Sequence, residues 1–156
     1  MRGIRGAIVA AAALLAPAAG QAQSRLVNQD FCWGLKRVVE AAQYEGGFVG
    51  LERSRAAPPH LGFRHGCRAT GDQRRQYWLC NQNLAPPELS LESLAAQTAD
   101  CFAEAVRSKD SPGREAVFTL PYARIRISER GGPRAHVGRI VTLVVEAIPA
   151  PQGVAE

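Results

Sequence analysis

The feature that most constrains this chain is the placement of its four cysteines, Cys32, Cys67, Cys80 and Cys101, all downstream of a segment with the form of a secretory signal. Residues 1–22 carry the three parts such a signal needs: Arg2 and Arg5, a short apolar run from Ala7 to Leu15, and small residues at Gly20 and Ala22. This spacing predicts cleavage before Gln23. An exported chain enters an oxidising compartment where thiols pair, so the expectation is two disulfides and a periplasmic or secreted location. The apolar run is far shorter than the roughly 20 residues a membrane helix requires, and no transmembrane span is expected after cleavage.

What remains is enough for one domain. The chain has 156 residues, 46% hydrophobic and 21% charged, as globular domains do. Residues 23–148 are expected to form a single domain and residues 149–156, rich in Pro and Gly, a flexible C-terminal tail. Loss of Arg2 and Arg5 lowers the formal charge from +5 to +3, because 17 basic residues then face 14 acidic ones. That mild excess, with export and few exposed aromatics, argues against a nucleic-acid partner.

Hydrophobic spacing supplies the element map. Phe31, Leu35, Val38, Val39 and Ala42 recur at helical intervals and predict a helix over 28–44, stopped by Gly46-Gly47. Phe48 to Arg53 reads as a strand. Leu61 to Asn81 reads as a β-hairpin with Leu61, Phe63, His65 and Cys67 on one face, a turn at Thr70-Gly71-Asp72, and a return strand over 76–82. Ser90 caps a second helix whose apolar stripe runs from Leu91 through Leu94, Thr98, Cys101 and Phe102 to Val106, with Arg107 and Lys109 at its C-terminal end. A short strand over 117–120 and an alternating strand through Ala123, Ile125 and Ile127 follow. After a turn at Gly131-Gly132-Pro133 comes a last strand, 137–148, apolar on both faces.

The predicted order is α-β-β-β-α-β-β, an α+β domain with two helices packed on one face of an antiparallel sheet of about five strands. On that map Cys67 pairs with Cys80 across the hairpin, and Cys32 with Cys101 between the helices. The domain is disulfide-stapled.

No catalytic set assembles from the residues. His65-Gly66-Cys67 places a base and a thiol two residues apart, as a thiol nucleophile needs, but a disulfide would consume the thiol. The same bond removes the thiolates from a zinc site built of His65, Cys67, Cys80 and Cys101, and no paired metal-ligand spacing is present, so neither metal nor cofactor is expected. No G-x-S-x-G elbow occurs. His60 and His136 read as solvated, as do Glu45, Glu52 and Glu129 at element ends, and Gly131-Gly132-Pro133 lacks the lysine of a phosphate loop.

The chain therefore reads as a small non-catalytic exported binding or interaction domain. The competing reading is a small cell-envelope hydrolase using His65 or a carboxylate pair. The expected interaction face is the side of the last strand carrying Ile140, Val144 and Ile148, rimmed by Arg124, Arg126 and Arg139, with Arg130 and Arg134 nearby. Such a face suits an envelope protein, an anionic envelope polymer or a second copy of the chain in a weak homodimer.

Overall fold

Alternation along the strands sets the architecture. Ala123, Ile125, Ile127 and Glu129 are buried, while Arg124, Arg126, Ser128 and Arg130, which point the other way, are not. A computed structural model describes residues 19–56, 58–72, 75–108, 114–131 and 138–148 of the chain, with side chains from Asp30 onward. The expected signal segment before Ala19, the tail from 149, Lys109, Gly132, Pro133, Arg134 and His136 lie outside the described residues.

The elements are α1 (Ala19–Ala41), α2 (Gly47–Glu52), β1 (Cys67–Gly71), β2 (Gln76–Gln82), α3 (Leu91–Cys101), β3 (Val106–Arg107), β4 (Glu115–Thr119), β5 (Ala123–Arg130) and β6 (Ile140–Ala147). The strands form one antiparallel sheet of order β1-β2-β6-β5-β4-β3. β6 is thus central, and its Val141, Leu143 and Val145 are fully buried. They join Trp78, Cys80, Phe118, Ile125 and Ile127 from neighbouring strands and Phe31, Leu35, Val38, Phe48 and Leu94 from the helices in one core. All three helices cover the same side of the sheet. The α+β class and the one-sided helix layer are those the hydrophobic spacing predicts.

Both disulfides follow the expected pairing. Cys32–Cys101 ties α1 to the end of α3, and Cys67–Cys80 joins β1 to β2, where the register sets the two residues opposite each other.

Four local expectations are corrected. Residues 48–53 are not a strand: Gly47–Glu52 form α2, which buries Phe48 and half-buries Leu51, a three-residue spacing that suits a helical turn. Residues 61–66 are not the first half of the hairpin, since Leu61 and Gly62 both take positive φ (51° and 77°) and two successive turns close from Phe63 N–H to His60 O and from Gly66 N–H to Phe63 O. Those turns bury Leu61 and Phe63 but leave His65 exposed, so a coiled path mimics strand alternation. The second helix stops at Cys101, because Phe102 turns into the core; Val106 and Arg107 instead form β3 against β4. The first helix runs over 19–41, earlier at both ends than expected, and β4 begins at Glu115.

Glu129 is the fifth correction, and the most consequential for packing. It is 3% exposed and far from solvated: one carboxylate oxygen accepts from Leu91 N–H (2.9 Å) at the start of α3, the other from Arg114 (2.7 Å). Ser90 completes the cap by accepting from Ser93 N–H. The carboxylate therefore pins the helix start to the sheet. Glu129→Ala is expected to lower unfolding free energy in urea by about 2–3 kcal/mol, since it orphans a helix N–H and a charged partner. Arg114→Ala should also be destabilising, because although that guanidinium is 56% exposed, its loss leaves the Glu129 carboxylate, 1% exposed, without its cation.

Candidate functional site

Proline-fixed loops and a helix glycine make the main concavity. Pro58-Pro59 lead into the turn at Leu61-Gly62, and this loop lies directly on α1 at Gly34. A Cβ at Gly34 would stand 2.9 Å from Leu61 Cδ2 and 3.3 Å from Pro59 Cβ, so any larger residue would displace the Leu61 side chain and press on Pro59. On the other side the segment before α3 turns from Pro86 to Leu89, closed by Leu89 N–H to Pro86 O (3.0 Å). Arg139 holds this segment from beneath by donating to the carbonyls of Ala85 (2.9 Å) and Pro86, while Ala85 N–H bonds back to Arg139 O.

Between α1, these two loops and α3 runs a groove of about 540 Å3. That is the size of small-molecule sites in general. Phe31, Pro59, Leu61, Leu89 and Leu94 supply most of its wall, and Trp33, 63% exposed, stands at its edge with the Arg37 guanidinium 4.7 Å above the ring. Its polar groups are Asp30, His60, Glu88 and Gln97, and no Arg or Lys among the described residues lines it.

Among the described residues no helix covers the opposite side of the sheet. Register places Arg68, Leu79, Val144, Arg126 and Val117 in one row across five strands, with Tyr77, Glu146 and Arg124 in the next. Leu79, Val144, Val117 and Tyr77 are half-buried there. Arg126 pairs with Glu115 (3.1 Å) and Arg124 approaches Glu146 (4.0 Å), and a hollow of about 250 Å3 lies between Tyr77, Arg124, Arg126 and Val144. The expected interaction face is therefore brought together in part: Ile140, Val144, Arg124 and Arg126 share the open side. Ile148 follows β6, bonded through its N–H to Tyr122 O, and Arg139 is drawn off to the Ala85-Pro86 carbonyls.

The residues tested for chemistry are dispersed. Cys67 is in a disulfide, and its Sγ, 3.3 Å from His60 O, carries no proton to donate. His65, Glu45 and Glu52 are exposed and Glu129 is buried against α3. Among the described residues no three His, Cys, Asp or Glu side chains gather as a metal site requires.

No protein-family model, curated protein or solved structure matches the chain. The site has to be read from its own geometry. Gly34, Pro58, Pro59 and Pro86 line one groove although they are far apart in sequence, and that proximity is a tertiary fact. The one local sign was Gly34 itself, an interior helix glycine that lowers helix propensity and so marks a close contact.

The two sides of β6 should respond oppositely to charge. Val144→Glu is expected to change the thermal midpoint little, since its side chain lies on the open face beside Arg126. Val145→Glu should abolish cooperative unfolding, because it buries an unpaired carboxylate in the core. Sedimentation of the Val144 variant beside the parent reports at once whether this face associates.

Proposed function

We propose that the protein is an exported, non-catalytic binding domain whose ligand site is the apolar groove between α1, the Pro58–Gly62 loop and α3. Two disulfides support the oxidising compartment this requires, and no helix among the described residues is long and apolar enough to cross a membrane. Cleavage before Gln23 would leave the remainder of α1 attached to the domain, including every groove residue it contributes.

The groove itself carries the reading. A concavity of about 540 Å3 with nearly continuous apolar walls and a few polar groups at its margin is the general form of a small-molecule site. It offers burial, not bond-making. The only imidazole on its lining, His60, is exposed and packs against Gly66, where an added Cβ would come within 2.7 Å of Nδ1. No hydroxyl or thiol nucleophile lines the groove beside it.

The test is titration of the purified oxidised protein with the uncharged apolar fluorophore N-phenyl-1-naphthylamine. Saturable one-to-one binding is expected. Gln97→Phe, which fills the groove from α3, should raise Kd by about tenfold, equivalent to the loss of roughly 1.4 kcal/mol. Val144→Glu should leave Kd unchanged. Absence of saturable binding, or sensitivity to Val144→Glu in place of Gln97→Phe, contradicts the assignment.

A further inference from the structure

The charge around the groove is opposite in sign to the charge of the protein. Basic residues outnumber acidic ones by 19 to 14 over the whole chain, yet among the described residues the groove lining holds Asp30 and Glu88 and neither Arg nor Lys. Both carboxylates are exposed at the margin of an apolar wall, and neither takes part in an ion pair among the described residues. Arg37 stands at the edge on Trp33 and Arg139 is bonded to the Ala85 and Pro86 carbonyls, while Arg68, Arg124 and Arg126 project from the far side of the sheet. An apolar site beside two unpaired carboxylates favours a ligand whose charge is positive, since low-dielectric walls concentrate the local field. The Trp33 ring at the edge is taken up by the Arg37 guanidinium, 4.7 Å above it, so the two carboxylates carry the preference and outnumber that one cation.

We propose that the groove selects a small apolar molecule with a single cationic head, a lipophilic amine or quaternary ammonium. Its hydrocarbon part lies on Phe31, Leu61, Leu89 and Leu94, and its charge lies toward Asp30 and Glu88. This rests on the groove being the ligand site and adds the chemical class of the ligand. Phosphate-bearing or sulfated amphiphiles are excluded by the same charges that admit the cation.

Three probes of equal chain length separate the ideas: octyltrimethylammonium, 1-octanol and octyl sulfate, each titrated as monomer into the purified oxidised protein by calorimetry. The expected order is cation tightest, alcohol next and sulfate weakest, with the cation about tenfold tighter than the alcohol at low salt. A protein of net positive charge would otherwise prefer the sulfate, so this order cannot arise from overall charge. Asp30→Asn combined with Glu88→Gln should bring the cation down to the alcohol's affinity and leave the alcohol unchanged; both sites are exposed, so folding is not at issue. Added salt should erode the advantage of the cation alone. Equal binding of cation and alcohol, or tighter binding of sulfate, overturns the cation preference while leaving the groove as the site. Failure of all three probes to bind overturns both.

Discussion

The bond between Cys32 and Cys101 is the constraint on which the working side of the molecule depends. It joins the middle of α1 to the last residue of α3, 69 positions apart, and so removes a large loop from the freedom of the unfolded chain. In the chain-entropy account such a loop is worth about 4 kcal/mol. Its structural effect is more specific than its size. With α1 and α3 locked together at one end, the Pro58–Gly62 and Pro86–Leu89 loops span the space between them, and the groove is what those fixed walls enclose. The shorter Cys67–Cys80 bond acts on the sheet edge, where it holds β1, otherwise bonded to β2 alone.

The sheet serves the two sides differently. Its inner side is an apolar surface of β-branched and aromatic residues onto which the helices fit, and the buried carboxylate of Glu129 fixes where α3 begins. A buried charge is tolerated there because both oxygens are bonded and one partner is a cation. The outer side carries half-buried apolar residues among arginines that pair with Glu115 and Glu146. Arg139 links the two roles, since it stands at the start of β6 and holds the Ala85-Pro86 carbonyls that support the groove.

Much of this was legible in the sequence where a period repeats. Five apolar positions of α1, the stripe of α3 from Leu94 to Cys101, and the alternation of β5 each have a long regular pattern, and each element formed. The disulfide pairing followed from those elements. Short apolar runs were ambiguous, as at Gly47 to Glu52, where six residues suit either a strand or one and a half helical turns. The turns alternate buried and exposed residues from Leu61 to Arg64 as a strand does, while the positive φ of Leu61 and Gly62 and the exposed His65 distinguish them. Glu129 looked solvated because its partners, Leu91 N–H and Arg114, are 38 and 15 residues away. The groove escaped notice for the same reason: its walls come from four separated stretches of chain that meet only in the folded protein.

The central claim is that this clamped groove, and not the open face of the sheet, receives the ligand. The most direct measurement is the amide and indole NMR spectrum of the oxidised, 15N-labelled protein as an apolar ligand is added. The account predicts shifts confined to Trp33, Gly34, Leu61, Gly62, Leu89 and Leu94, with the Trp33 indole among the largest and the Trp78 indole, enclosed in the core, unmoved. Shifts centred on Tyr77, Leu79, Arg126 and Val144 would place binding on the opposite side of the sheet and contradict it.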